Sequence, residues 1–137
     1  MEVGALGANL SYELAGLVCG GRGSPTLCGY VPIADAGPDQ TVVEDTTVQL
    51  DGSASYEGDF EPLTYAWTLV VRPSGSTAVV FGAAEVDPFF VPDRPGTYVA
   101  ELVVSDSNFP SAPSQVTVIA TTAQVTVPSV VGLTLSQ

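Results

Sequence analysis

Apolar and polar residues alternate with a period of two along much of the chain, and residues 63–69 show this most clearly. The odd positions are Leu63, Tyr65, Trp67 and Leu69, and the even positions are Thr64, Ala66 and Thr68. Successive side chains of a strand point to opposite faces, so this stretch predicts a strand with one buried face. Trp67 and Tyr65 lie on that face, and we predict that both belong to the core.

Short segments of similar character recur at spacings of about ten residues, and turn-forming residues separate them. The predicted strands are 41–43, 47–50, 77–81, 87–92, 97–104 and 114–120. Prolines bracket segment 87–92 and cannot donate to a strand ladder, so it is predicted as an edge strand. Tyr98, near the start of segment 97–104, has the placing of a tyrosine corner and is a third predicted core residue. The pattern predicts an all-β fold, an Ig-like antiparallel β-sandwich.

The chain divides into three parts by composition. Residues 1–31 form a glycine-rich extension, residues 32–120 form the sandwich, and residues 121–137 form an apolar tail without any charged residue. In the first part, residues 9–18 suit a strand or a short helix, and their glycines favour the strand. The tail is strongly β-prone and would aggregate if it stayed exposed, so we expect it to pair with something.

Cys19 and Cys28 enclose a loop of eight residues rich in turn formers. A local disulfide is the favoured interpretation, and it indicates an oxidising, extracellular setting. Two free thiols in a cytosolic protein, or a metal-binding pair, are the alternatives.

The charge balance excludes several classes of function. The 137 residues include 15 acids, three arginines, no lysine and no histidine, for a net charge of −12. Nucleic-acid binding depends on Lys and Arg, so it is excluded as a role. A Ser-His-Asp or Cys-His site cannot be built without histidine, so we predict that the chain is not an enzyme, although acid-pair chemistry stays formally open. No run of 18 apolar residues exists, so no membrane span is expected.

With these residues in view, segment 32–120 resembles the PKD (polycystic kidney disease) domain family. The resemblance rests on the segments 34–42 (ADAGPDQTV), 50–55 (LDGSAS), 63–67 (LTYAW), 92–98 (PDRPGTY) and 102–106 (LVVSD). It implies an Ig-like extracellular module that serves as a spacer, an adhesive unit or an accessory to polymer binding, without catalysis. Separately, residues 127–134 resemble the opening of a PASTA domain, a module of cell-wall-associated proteins.

The resemblance also implies a calcium site, because some PKD domains bind calcium near the loop that precedes the tryptophan strand. The matching positions here are Glu57, Asp59, Glu61 and Asp106, and oxygen ligands are what calcium requires. This chain has Glu for Asp at two of these positions, and Phe60 stands where glycine is usual. A solvated acidic turn is the alternative interpretation.

Two functions are therefore expected. The first is a structural or interaction module that assembles through edge strands or strand donation, as part of a surface filament, a fibre or a virion decoration. Its partner is protein, either a copy of itself or a neighbouring module. The alternative is an accessory polysaccharide- or protein-binding spacer of a secreted or cell-surface protein. Phe89 and Phe90 are adjacent, so one of them points outward and is available to a partner.

Overall fold

The computed structural model describes residues 17–19 and 28–124, and strands are the regular elements of these ranges. The strands are β1 (Leu17–Cys19), β2 (Cys28–Tyr30), β3 (Gln40–Val43), β4 (Val48–Gln49), β5 (Thr64–Val71), β6 (Phe89–Phe90), β7 (Gly96–Ser105) and β8 (Ser114–Thr121). The all-β prediction is confirmed. The PASTA-like residues 127–134 lie outside the described residues, as does most of segment 9–18.

The larger layer is a four-stranded sheet in the order β3-β8-β7-β5. β5 pairs with β7, and β7 pairs with β8, in antiparallel register. β3 pairs with β8 in parallel, which adds one parallel pair to the predicted antiparallel sheet. A parallel pair needs a long connection, and nearly the whole sandwich lies between these two strands in sequence.

The smaller layer pairs β4 with β6 in antiparallel register, and Phe81 extends it through a single bridge to Phe89. The predicted strand 77–81 is wrong as a continuous element. The Thr77 amide donates to Asp93 Oδ2 at 2.7 Å, and the Ala78 carbonyl accepts from Arg72 Nη1 at 2.7 Å. Side chains therefore satisfy the backbone groups that a strand ladder would have used.

The core lies between the two layers and is built from alternate residues of the strands. Tyr98, Ala100, Leu102 and Val104 of β7 are fully buried, which follows from a period of two. Val116, Val118 and Ala120 of β8 lie on the same buried face, and Val48, Leu50 and Phe90 cover it from the smaller layer.

The first two strands form a separate antiparallel hairpin whose second strand lies against the sandwich. A Cβ added to Gly29 would come within 2.8 Å of the Phe109 ring, and one added to Gly58 would overlap the Tyr30 ring. Aromatic rings thus contact both glycines directly. Strand β2 and the loops that contain Gly58 and Phe109 therefore lie together at one end of the sandwich.

Candidate functional site

The loop of residues 57–61, here called the Phe60 loop, contains three of the four predicted calcium ligands. The Glu57 side chain is only 4% exposed, and its Oε2 accepts a hydrogen bond from the Glu61 amide at 2.6 Å. Its Oε1 is buried without a hydrogen-bond partner. Burial, and then the neighbouring Asp59, raise the pKa of Glu57 above its ordinary value.

Two of the other predicted ligands, Asp106 and Glu61, accept local hydrogen bonds. Asp106 Oδ1 accepts from the amides of Asn108 and Phe109, both at 2.6 Å, and so holds its own turn. Glu61 Oε1 accepts from the Ser107 hydroxyl at 3.0 Å, which ties the Phe60 loop to that turn. The four acidic residues therefore share one end of the sandwich, where Glu57, Glu61 and Asp106 each accept different hydrogen bonds.

A calcium ion requires six to eight oxygen ligands around one point. Across residues 17–19 and 28–124, no group of three or more His, Cys, Asp or Glu side chains is arranged to hold a metal ion. As arranged, Glu57, Asp59, Glu61 and Asp106 do not fit a calcium ion. Calcium binding stays a prediction drawn from the resemblance.

Phe60 has the most unusual environment in this loop. Its side chain is 91% exposed, and its φ is 63°, in the left-handed region that non-glycine residues rarely adopt. The substitution for glycine was visible in the sequence, whereas the exposure of the ring was not. The loop around it is held at both ends, because Gly58 lies under the Tyr30 ring and Glu61 bonds Glu57 and Ser107.

The opposite end of the sandwich is organised around Asp93 and Tyr98. The Ser76 hydroxyl donates to Asp93 Oδ1 at 2.5 Å, and the Thr77 amide and hydroxyl donate to Oδ2. These hydrogen bonds, with the Ser76 hydroxyl first and the Thr77 amide next, hold the pKa of Asp93 well below its ordinary value. Asp93 is therefore a structural acceptor that fixes the turn after β5.

Tyr98 forms the corner that its position predicts. Its ring is fully buried, and its hydroxyl donates to the Arg94 carbonyl at 2.8 Å and accepts from the Arg94 amide at 3.1 Å. The same hydroxyl lies 3.2 Å from Asp93 Oδ1. Tyr98 thereby joins the core to the Asp93 turn.

The predicted core aromatics of β5 differ in depth. Trp67 is 4% exposed, and its indole N–H donates to the Glu85 carbonyl at 3.2 Å, whereas Tyr65 is half-buried. Gly52, from the LDGSAS segment, packs against the Trp67 ring, since a Cβ added to Gly52 would lie 3.1 Å from Trp67 Cζ2. This close approach explains a glycine at that position.

The two cysteines face each other in the backbone of the hairpin. Cys19 is the register partner of Cys28 across the β1–β2 pair. Residues directly opposite on antiparallel strands have Cα atoms about 4.5–5.5 Å apart, which a disulfide can bridge. The pairing itself stays a prediction.

The comparisons with known proteins agree with the fold. A family model described as "K319L-like, PKD domain" matches residues 36–120, and the chain belongs to this family. A search of curated proteins gave no significant match. A solution structure of the PKD domain from KIAA 1837 protein is 28% identical, with a TM-score of 0.55, and the alignment covers 69% of this chain and 90% of that domain.

Two further structures share the fold at lower identity. The PKD domain of human KIAA0319 is 19% identical with a TM-score of 0.57, covering 78% of this chain and 96% of that domain. A nucleoside hydrolase-related hypothetical protein from Saccharophagus degradans, associated with carbohydrate metabolism, is 13% identical with a TM-score of 0.56, covering 74% of this chain and 28% of that protein. Among the residues placed by the structure, no helix is long and apolar enough to cross a membrane.

Proposed function

We propose that this PKD domain is a noncatalytic extracellular module that acts as a structural unit and assembles through its sheet edges with copies of itself or with neighbouring modules. The observation that carries the proposal is the position of β3 at the outer edge of the four-stranded sheet. β3 ends the four-stranded sheet, and its second side pairs with no strand in 17–19 or 28–124. Unpaired N–H and C=O groups on such an edge accept a strand from another chain.

The tail begins next to this edge. After β8 the Ala123 amide donates to Glu44 Oε1 at 3.1 Å, and Glu44 directly follows β3. Residues 125–137 lie outside the described part of the chain, and their sequence is uncharged and β-prone. We propose that this segment adds to the sheet edge of a neighbouring copy.

Deleting residues 125–137 tests tail donation, and this deletion spares β8, which runs to Thr121. Light scattering and electron micrographs of the full and shortened chains measure assembly. We expect large multimers from the full chain, and a shortened chain that stays folded and forms markedly smaller assemblies. A second variant, Val130→Lys with Val131→Lys, keeps the full chain length and places two charges in the tail. It should also weaken assembly, which would show that the loss does not come from shortening the chain. If the shortened chain assembles like the full one, tail donation is wrong.

The extracellular assignment has its own test. Thiol titration of the native chain should find no free cysteine, and the intact mass should be lower by two hydrogen atoms than that of the reduced chain. Two reactive thiols in protein taken from an oxidising compartment would contradict it.

A second candidate is an accessory polysaccharide- or protein-binding module, and one surface feature favours it. Phe81 and Phe89 are 51% and 39% exposed, and their rings stack with centroids 5.2 Å apart. A flat aromatic surface of this kind suits a sugar ring or an apolar side chain. Retention on chitin, cellulose or collagen that Phe89→Ser removes and Phe60→Ser leaves intact would support this function. Absence of retention on all three would count against it.

A further inference from the structure

We infer that the Phe60 loop of one copy docks on the corner formed by Val70, Val71 and Arg72 of a second copy, so that the sandwiches join head to tail. This corner is here called the Arg72 corner. The inference rests on the proposed self-assembly and names a contact that is independent of the tail.

The first step is the state of Phe60 in a single copy. An almost fully exposed ring gains nothing from burial, and a positive φ is strained for a residue that carries a Cβ. Both features disfavour phenylalanine in an isolated folded chain. Burial of the ring against a partner offsets both.

The second step is the rigidity of the loop. The Glu57–Glu61 hydrogen bond closes it at the base, the Tyr30 ring covers Gly58, and Ser107 holds Glu61 from the neighbouring turn. A ring presented on a fixed loop loses little conformational entropy on binding. Phe60 therefore has the properties of an interface anchor.

The third step is the complementarity of the Arg72 corner. Val70 and Val71 are 44% and 45% exposed at the end of β5, where the register with β7 shifts. Arg72 follows them and is exposed, and the hydrogen bond from its Nη1 to the Ala78 carbonyl leaves further guanidinium N–H groups available. Two apolar side chains and a cation match Phe60 with its flanking carboxylates, Asp59 and Glu61.

The fourth step is the position of the two surfaces. The Phe60 loop precedes β5 and the Arg72 corner ends it, so the eight residues of the strand separate them by about 25 Å. Arg94 also lies at the Arg72 end, because its side chain approaches Gly75. A contact between opposite ends of two copies is heterologous, so it propagates into a filament unless the rotation closes a ring.

The net charge of −12 opposes association over long distances. At about 0.15 M ionic strength the screening length is about 8 Å, which reduces repulsion between whole copies and leaves the short-range contact. Association should therefore be weakest at low ionic strength and stronger at 0.15 M.

Sedimentation velocity of the full chain over a concentration series tests the contact. We expect Phe60→Gly to raise the dissociation constant at least about tenfold, as for an interface anchor. The variant places glycine at position 60, and glycine tolerates the positive φ, so the chain should fold. Phe81→Ser removes an exposed phenylalanine elsewhere and should change the constant little.

A mixing experiment identifies the two surfaces as partners. Phe60→Gly keeps an intact Arg72 corner, and Val70→Ser with Arg72→Glu keeps an intact Phe60 loop. Both variants are made in chains that lack residues 125–137, so that tail donation cannot contribute. Each variant alone should then be largely monomeric, and an equimolar mixture should form dimers and no longer species. A mixture that stays monomeric would overturn the inference, as would association of the Phe60→Gly chain at the wild-type level.

The tail deletion separates this contact from tail donation. If Phe60→Gly has no effect and the tail deletion abolishes assembly, the head-to-tail contact is wrong and the proposed self-assembly stands. If the wild-type chain stays monomeric across the concentration series, both fail, and the domain does not assemble with itself.

Discussion

Each end of the sandwich holds a carboxyl group, and the two environments shift its pKa in opposite directions. At one end, Asp93 accepts hydrogen bonds from Ser76 and Thr77 and lies beside the Tyr98 hydroxyl. At the other end, Glu57 is buried with one oxygen bonded to the Glu61 amide and the other without a partner. Hydrogen bonds to the ionised form lower the pKa of Asp93, and burial raises that of Glu57.

The difference indicates which end serves the fold and which is available for contact. The Asp93 end ties a turn to the core through Tyr98, so its polar groups are satisfied within one copy. The Glu57 end keeps a polar atom unsatisfied and presents an exposed phenylalanine in a left-handed conformation. Unfavourable features that persist in a folded domain are the natural place to search for a partner.

Asp93→Ala should cause the largest loss of stability, because it leaves the Ser76 hydroxyl and both Thr77 donors without their acceptor. The midpoint of urea unfolding at pH 7 measures the loss. Asp87→Ala removes an equal charge from an exposed side chain and serves as the control. Equal midpoints for the two variants would show that Asp93 has no structural role.

Tyr98→Phe should follow, since it removes the corner hydroxyl and keeps the buried ring. Loss of these hydrogen bonds should destabilise the domain by about 1–3 kcal/mol. Tyr56→Phe, at a residue that is 61% exposed, should change little. Thermal and urea unfolding of both variants check this, and equal effects would contradict a Tyr98 corner.

The pH dependence of stability should differ in sign between the two ends. The pKa of Asp93 is depressed, so its contribution is present above its ordinary pKa of 3.8 and is lost as the pH falls below that value. The pKa of Glu57 is raised, so its contribution is present below the ordinary value of 4.5 and is lost as the pH rises through the folded pKa.

Glu57→Gln should therefore flatten the decline in stability above pH 4.5, which urea midpoints from pH 3 to 8 would measure. Glu85→Gln makes the same charge change at an exposed residue and controls for the net charge. If both variants give the same profile, the decline reflects overall repulsion and not Glu57.

Phe60→Gly should have the smallest effect on the stability of one copy. Relief of the positive φ favours the variant, and the extra freedom of glycine in the unfolded chain opposes it. We expect a net gain between zero and about 1 kcal/mol, measured on monomeric protein at low concentration. A clear loss of stability would mean that the ring supports its own loop.

The strands were predictable wherever the period-two pattern met a buried face. β5, β7 and β8 lie where the alternation places them, and Trp67 and Tyr98 are buried by that alternation. Segment 77–81 has the composition of a strand, but Asp93 and Arg72 bind its backbone groups. Asp93 is distant in sequence and Arg72 lies across a turn. No local pattern therefore shows that these side chains, and not a neighbouring strand, bind the backbone of segment 77–81.

The end of the sandwich that contains the Phe60 loop also has features that the sequence predicted and features that it did not. The residues of the Phe60 loop and Asp106 were predictable as neighbours from the family motifs, whereas their hydrogen bonds were not. The burial of Glu57 depends on what packs over the loop, and the Tyr30 ring on Gly58 comes from a distant hairpin. The unpartnered oxygen of Glu57 likewise has no signal in the sequence.

Residue types and local periodicity were enough to predict the all-β class, the absence of histidine chemistry, the buried face of each long strand and the tyrosine corner. Each of these depends on residue type or on local period. The parallel pairing of β3 with β8, the burial of Glu57 and the exposure of the Phe60 ring became visible only in the folded chain. These depend on contacts between segments far apart in the chain, whose free energies a local pattern does not contain.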